Sequence, residues 1–135
     1  MSSDQPPTPP PFVAAMGFRT GEASGTRVTG TAELGPDQHT PWGVVHGGVY
    51  CAIVETAASI GASRAVQEHG QFAVGVNNST DFIRSMTAGR IDVVAEPVQQ
   101  GRTQQLWQVT LTRAEDGKLV AQGRVRLQNI PLPGS

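Results

Sequence analysis

The 135-residue sequence is poor in several features that mark particular classes of protein. Cys51 is its one cysteine, so no intramolecular disulfide and no CxxC metal pattern can form, and we expect a reducing, cytoplasmic location. Ten basic residues stand against eleven acidic ones, a formal net charge of −1, which argues against the basic face that a nucleic-acid partner requires. These absences predict a protein with no metal site and no nucleic-acid partner.

The chain also lacks a long apolar run that is free of polar residues. Its most apolar stretch, residues 44–62, contains His46, Glu55 and several glycines, and its flanks do not resemble membrane anchors. We interpret it as a helix buried inside a soluble protein rather than a membrane span. The first residues, MSSDQPPTPPP, lack a basic start and an apolar core, and the five prolines predict a poorly ordered tail over residues 1–11 rather than a signal peptide. Residues 12–130 have the length of one domain.

Hydrophobic periodicity predicts one long helix among several strands. Residues 26–34 alternate, with Val28, Ala32 and Leu34 on one face, as in a strand. Residues 47–68 are small and apolar, contain no proline and are too long for a strand, so they predict the main helix. We further expect a helical turn over residues 12–18, strands over residues 72–84, 90–98, 104–113 and 118–128, and Pro97 at an edge or a bulge. This order predicts an α+β fold, an antiparallel sheet of about five to six strands wrapped around one long central helix.

Glu55 is the one charged residue between Gly47 and Ser63, where its neighbours are small or apolar. A carboxylate in such a setting is costly unless it is paired or faces a cavity. Ser59 follows one helical turn later, so its hydroxyl can reach the same site. Two interpretations stand. Glu55 is a reactive carboxylate, or it has a structural role, either on a solvent-exposed strip of the helix or in an ion pair with an arginine.

Gly47 and Gly48 lie where this helix is expected to start. The first N–H groups of a helix have no partner within it, and residues without side chains let a ligand carbonyl approach them. The pair outlines an oxyanion-type site, although an ordinary tight turn is the commoner explanation. Gly47 and Glu55 are eight residues apart, about 12 Å along one helix, and cannot both touch one carbonyl. If they share a site, they come from two subunits, which predicts a homodimer.

The stretch HTPWGVVHGGVYCAIVETAASIGAS resembles the helix motif of hot-dog thioesterases, in which HGG precedes a helix that carries Asp or Glu. VGVNNSTDFIRSMTAGR, VQQGRTQQLWQV and DGKLVAQGRVRL are similar to the later strands of that family in the same order, so the resemblance covers residues 25–129. Glu with Ser four residues later is most similar to the Arthrobacter-type 4-hydroxybenzoyl-CoA thioesterases and the related 1,4-dihydroxy-2-naphthoyl-CoA thioesterases, the PaaI-like branch. The resemblance implies the hot-dog fold.

The same resemblance implies catalytic roles for individual residues. Glu55 is expected to be the nucleophile or the general base that activates water, and both roles stay open. The Gly47 amide of the partner chain is expected to polarise the thioester carbonyl, and Ser59 to orient the water or the carboxylate. His46 is expected to shape the thioester site, with a plain helix-entry role as the alternative.

One position departs from the family pattern. The family usually has Gln or Asn where this chain has Thr40, whose hydroxyl would be a weaker donor unless Gln38 substitutes for it. The remaining candidates are expected to bind the CoA phosphates or the acyl group, or to form part of the partner contact, with a solvated surface as the alternative. This substrate- and CoA-binding set comprises Gly48, Asn77, Asn78, Phe82, Arg84, Ser85, Gly101, Arg102 and Thr103.

Together these features predict a thioesterase that hydrolyses an aromatic (hydroxybenzoyl- or dihydroxynaphthoyl-like) or medium-chain acyl-CoA to free acid and CoA. No cofactor is expected, because CoA is part of the substrate. The expected assembly is a homodimer, paired as a dimer of dimers (homotetramer), although the sequence does not separate dimer from tetramer. The alternatives are a hot-dog dehydratase or hydratase and a non-catalytic acyl-CoA-binding protein. No G-x-S-x-G elbow occurs, which argues against a serine hydrolase.

Overall fold

The computed structural model describes residues 8–134, so residues 1–7 of the tail predicted over residues 1–11 lie outside the described residues. Within the described range the chain forms two α-helices and six β-strands, with short 3-10 helices after β2 and α2. The elements are α1 (Pro11–Ala15), β1 (Phe18–Ala23), β2 (Val28–Leu34), α2 (Gly47–Val66), β3 (Gln71–Phe82), β4 (Gly89–Gln100), β5 (Gln104–Arg113) and β6 (Leu119–Pro131). The predicted α+β architecture is confirmed.

The long helix α2 is shaped by small residues on the face that meets the sheet. The buried positions recur at helical spacing: Tyr50, Ile53, Val54, Ala57, Ala58, Gly61, Ala62 and Val66. Gly61 lies under the fully buried ring of Trp107, and a Cβ there would also lie 3.0 Å from Val28 Cγ2. A 3-10 turn follows the helix, and Gly70 ends it in the left-handed conformation at φ 70°. The helix can therefore pack close to the strands across its width.

The six strands form one antiparallel sheet in the order β1-β2-β4-β5-β6-β3. The inward faces of β2, β4, β5 and β6 pack against α2 and build the core, which is dominated by Val28, Ile91, Val93, Trp107, Val109, Leu111, Val125 and Leu127. The strand β3 follows the helix and pairs with β6 alone, so its other edge has no strand partner within residues 8–134. This edge strand lies along α2 and supplies residues to the site.

The strand pairing shifts register at four places among the described strands, and two of these bulges bear on the predictions or on the site. The register of β4 with β5 shifts between Pro97 and Gln99, which confirms the bulge predicted at Pro97. The register of β3 with β6 shifts between Gly75 and Asn77, leaving Val76 as the extra residue. The bulge at Val76 was not predicted, although Gly75 in the interior of the strand is a signal that could have marked it.

The first strand differs from the sequence-based expectation. The predicted helical turn over residues 12–18 ends at Ala15, and Phe18 begins β1, which the sequence pattern missed. Most residues of β1 are exposed, so no alternation of apolar residues marks it. Pairing with β2, including Phe18 with Ala32, makes it a strand. Among the described residues, the helices are all too short or too polar to span a bilayer.

Candidate active site

His46 sets the start of α2. Its ring Nδ1 accepts a 2.7 Å hydrogen bond from the Gly48 N–H, and the backbone N–H of His46 donates to the Gln38 carbonyl at 2.8 Å. This is an N-cap, since the side chain satisfies one of the helix's unpaired donors. Within this chain, the His46 side chain therefore acts as the helix-entry residue that was the alternative interpretation. Of the two glycine amides, Gly48 is capped, whereas the Gly47 N–H has no acceptor among residues 8–134.

Gly47 is covered by the ring of Phe82, the last residue of β3. A Cβ at Gly47 would lie 2.6 Å from Phe82 Cε2, so only glycine fits here unless the ring moves. The Phe82 ring is about half exposed and lies 6.0 Å from the Tyr50 ring. Tyr50 is buried, its hydroxyl has no hydrogen-bond partner in the described part of the chain, and this burial raises its pKa. Aromatic side chains thus cover one side of the helix entry.

Glu55 lies on the exposed side of α2, next to β3. Its Oε1 accepts a 3.5 Å hydrogen bond from Asn78 Nδ2, which also donates to the Cys51 carbonyl at 3.0 Å. None of the ion pairs formed by residues 8–134 includes Glu55, so pairing with an arginine is absent there. The carboxylate instead borders a cleft of about 430 Å³, together with Phe12, Cys51, Ala52, Thr56 and Asn78. An unpaired carboxylate at a cleft can accept a proton or attack an electrophile.

A second cleft adjoins the first, because Phe12 and Ala52 line both. It has a volume of about 310 Å³ and extends along α2 towards the helix entry. Most of its lining is apolar, and its full set of residues is Phe12, Ala15, Met16, Asp37, Gln38, His46, Gly48, Val49 and Ala52. The carboxylate of Glu55 therefore lies at the end of a mostly apolar groove between α1 and α2.

Ser59 and Thr40 form no hydrogen bond with Glu55 in the described part of the chain, although both were predicted to belong to the catalytic site. Ser59 lies one turn after Glu55 and is half-buried, but no hydrogen bond joins the two side chains in the described chain. Thr40 Oγ1 accepts the Trp42 N–H at 3.1 Å within the loop before α2. The alternative residue, Gln38, has both ends of its amide engaged: Nε2 donates to the Ala15 carbonyl and Oε1 accepts from the Gly35 N–H. Gln38 thus holds the loop together.

The predicted CoA-binding residues are not brought together within one chain. Arg84 donates to the Leu119 carbonyl near the end of β3, close to the start of α2, and the exposed Ser85 follows it. The turn of Gly101, Arg102 and Thr103 lies beside the opposite end of α2. With 20 helical residues between these ends, the separation is about 30 Å. Within one chain, the two groups therefore cannot contact the same nucleotide.

The two neighbouring asparagines of β3 have different surroundings. Asn78 reaches α2, whereas Asn77 is exposed and, as the next residue along a strand, points to the other face. The predicted set placed both near the substrate, and the structure brings only Asn78 to Glu55.

Sequence reasoning missed a buried polar network near the far end of α2. Gln105 Nε2 donates to the Ala62 carbonyl and to Asn129 Oδ1, and Trp107 Nε1 donates to Gln105 Oε1. Asn129 Nδ2 in turn donates to the carbonyls of Gly101 and Arg102, which holds that turn in place. Period-2 alternation puts Gln105 on the same face as Trp107, and this signal could have identified it as buried. Within residues 8–134, no three His, Cys, Asp or Glu side chains cluster as a metal site would require.

Comparison with known proteins identifies the family. Residues 43–120, which contain Glu55, Asn78 and all of α2, match the sequence profile of the Thioesterase superfamily. The chain belongs to the thioesterase superfamily. The membership confirms the prediction, made from the HGG segment and Glu55, of a thioester hydrolase of the hot-dog type.

Individual relatives agree with this assignment over most of the chain. The Mycobacterium tuberculosis protein Rv1847 is 43% identical over 122 residues, covering 89% of this chain and 86% of that protein. Its solved structure has a TM-score of 0.86, covering 90% of this chain and 98% of that one. A thioesterase structure from Haemophilus influenzae has a TM-score of 0.82 at 29% identity, over 90% of this chain and 84% of that one. The 1,4-dihydroxy-2-naphthoyl-CoA thioesterase 2 of Arabidopsis thaliana is 35% identical over 127 residues, covering 87% of this chain and 79% of that protein.

Proposed function

We propose that this member of the thioesterase superfamily hydrolyses an acyl-CoA thioester, with Glu55 as its catalytic carboxylate. The observation that carries the proposal is the position of Glu55, which has no cationic partner among the described residues and lies at the end of a mostly apolar groove. The products are the free acid and CoA. The reaction consumes one water and needs no cofactor, since CoA is part of the substrate.

Glu55 can act in either of two ways. As a general base, it takes a proton from water while the water oxygen bonds to the thioester carbon; the C–S bond then breaks and the CoA thiolate takes up a proton. As a nucleophile, its oxygen bonds to the carbonyl carbon and expels the thiolate, and water then hydrolyses the mixed anhydride. Both routes place negative charge on the carbonyl oxygen, so both require a donor at that oxygen.

The Gly47 amide is our candidate for that donor. It is at the positive end of α2, and its N–H lacks an acceptor within residues 8–134. Gly47 and Glu55 lie on the same helix eight residues apart, about 12 Å, so they cannot meet at one carbonyl within one chain. We therefore include a homodimer in the proposal, with Gly47 from one subunit and Glu55 from the other. The unpaired edge of β3, where Val76 is 54% exposed, supports such an assembly, and two dimers would form the tetramer.

The apolar cleft beside the helix entry suggests the character of the acyl group. It has a volume of about 310 Å³ and a mostly apolar lining, which supports an aromatic or medium-chain acyl group. The similarity to the Arabidopsis thaliana 1,4-dihydroxy-2-naphthoyl-CoA thioesterase 2 supports the aromatic choice.

A hydrolysis assay over a panel of acyl-CoA substrates, read by release of free thiol, tests the activity and the role of Glu55. We expect turnover of dihydroxynaphthoyl-, hydroxybenzoyl- or medium-chain acyl-CoA, and a loss of at least about 100-fold in Glu55→Gln, which keeps the shape of the side chain. Glu33→Gln is the matched control, because Glu33 is an exposed glutamate on β2 outside the cleft. Full activity in Glu55→Gln would refute its role. Binding of acyl-CoA without turnover, or hydration of an enoyl-CoA, would support the alternative functions instead.

Mixed dimers test whether two subunits share the site. Gly47→Val and Glu55→Ala subunits are each expected to be inactive alone, since the valine meets Phe82 and the alanine removes the carboxylate. Random mixing makes half of the dimers mixed, each with one intact site, so about a quarter of the wild-type activity should return. Verified mixed dimers without recovered activity would contradict a shared site.

A further inference from the structure

The strand β3 changes the face it presents to α2 at its bulge. In a regular strand, residues separated by an odd number point to opposite faces. Gly75 and Asn78 are three residues apart, yet both face Glu55: a Cβ on Gly75 would lie 3.1 Å from Glu55 Oε2, and Asn78 Nδ2 lies 3.5 Å from Glu55 Oε1. The extra residue, Val76, accounts for this, because the pairing with β6 resumes one position later.

Contacts along the strand agree with that shift. Before the bulge, the odd-numbered Ala73 is buried in the core beneath the helix, and its backbone N–H donates to Ser63 Oγ at 3.0 Å. After the bulge the even-numbered residues do so, with Asn78 against Cys51 and Phe82 against Gly47. Without the bulge, Asn78 would face away from the helix and the exposed Asn77 would take its place.

The side-chain amide of Asn78 has a fixed orientation. Thr80 Oγ1 donates a 2.6 Å hydrogen bond to Asn78 Oδ1, which leaves Nδ2 directed at the helix. Nδ2 then donates to the Cys51 carbonyl and to the Glu55 carboxylate. Thr80 can lie inward because Gly123, its partner on β6, has no side chain; a Cβ there would collide with Thr80 Oγ1. A chain of hydrogen bonds therefore runs from Thr80 through Asn78 to Glu55.

We propose, on the basis of the proposed role of Glu55, that Asn78 and Thr80 are positioning residues that the bulge at Val76 brings to face α2. Asn78 holds the Glu55 carboxylate in its reactive orientation, and Thr80 holds Asn78. The same amide also donates to the Cys51 carbonyl and so links β3 to α2. This hydrogen bond fixes the distance between the strand and the helix next to the Glu55 carboxylate. Neither residue exchanges a proton with the substrate in this scheme.

Kinetics of four variants and two matched controls test this role. Asn78→Ala is expected to lower kcat about tenfold with KM changed by no more than about twofold, since it removes a hydrogen bond to a charged group. Thr80→Val should lower kcat about threefold, and Thr80→Ser, which keeps the hydroxyl, should restore it. Asn78→Asp should lower kcat more than Asn78→Ala, because its carboxylate repels Glu55.

The controls lie on the face of the sheet that points away from α2. Gln122 Nε2 donates to Thr110 Oγ1 at 3.2 Å, the same pairing of an amide with a threonine hydroxyl. Gln122→Ala and Thr110→Val should therefore leave kcat within about twofold of wild type. Unchanged kcat in Asn78→Ala, or an equal loss in Asn78→Ala and Gln122→Ala, would overturn the positioning role, while loss of activity in Glu55→Gln would leave the proposed function standing.

A crystal structure of Asn78→Ala gives a result that does not depend on turnover. We expect the Glu55 carboxylate to leave its present position or to occupy more than one rotamer, with the rest of α2 unchanged. A Glu55 side chain that keeps its single orientation would overturn the inference even if the protein hydrolysed none of the substrates tested.

Discussion

The substitution Gly75→Ala tests the contact between β3 and Glu55, because we expect it to lower activity without lowering the stability of the fold. Gly75 does not have a positive φ, so the backbone accepts alanine without strain. The new Cβ would lie 3.1 Å from Glu55 Oε2 and 3.2 Å from its Cδ. Non-bonded heavy atoms attract each other at separations from about 3.5 Å upward. The Glu55 carboxylate must therefore move away from the new Cβ by about 0.4 Å, the difference from the 3.1 Å separation. It has room to do so, because Glu55 is exposed on the cleft.

The magnitude follows from that displacement. A misplacement of 1 Å can cost about 100-fold in rate, so about 0.4 Å corresponds to roughly a five- to tenfold loss of kcat/KM. The stability should change in the opposite direction, because alanine in a strand is favoured over glycine by about 0.5–1 kcal/mol. The variant is thus expected to be as stable as wild type or slightly more stable, and clearly less active.

Two measurements check this pair of effects: thiol release from the best acyl-CoA substrate, and urea unfolding followed by circular dichroism. Gly35→Ala is the control, because a Cβ at Gly35 meets nothing within 4 Å, and its activity should match that of wild type. Unchanged kcat/KM in Gly75→Ala would refute the view that Glu55 works from its position against β3. A fall in its unfolding free energy would show that the new methyl group is not accommodated as we infer.

Three further predictions concern the core, a buried hydroxyl and a turn. Gly61→Ala should lower the free energy of unfolding by about 1–3 kcal/mol, because its Cβ would collide with the buried Trp107 ring, and urea unfolding measures this. Tyr50→Phe should leave stability unchanged or raise it by about 1 kcal/mol, since the buried hydroxyl lacks a partner among the described residues; a clear loss would reveal a partner. The pKa of Asp116 is held well below its usual 3.8, mainly by its hydrogen bonds with Arg113. Because the folded protein holds this carboxylate ionised below pH 3.8, Asp116 stabilises the fold above that pH and progressively loses the effect below it. Asp116→Asn should therefore lower Tm at pH 7, and its difference from wild type should shrink as the pH falls below 3.8.

The sequence by itself determined the elements whose pattern is local. The proline-free run of small apolar residues predicted α2, and it begins at Gly47 as expected. Alternation predicted β5 from Gln104 to Arg113 with both ends correct. The HGG segment and the lone Glu55 predicted the family, because the start of a helix and the residues on its faces are encoded within a few turns. The eight-residue spacing of Gly47 and Glu55 predicts a second subunit if the two residues share a site, and this stays a prediction.

Tertiary structure decided the features that depend on pairing between distant segments. The strand β1 has almost no buried residue to mark it and exists because it pairs with β2. The bulge at Val76 is a property of the register with β6, and it alone determines that Asn78 rather than Asn77 faces Glu55. The sequence placed both asparagines in one polar strand, since a one-residue shift in register exchanges the two faces without changing the composition.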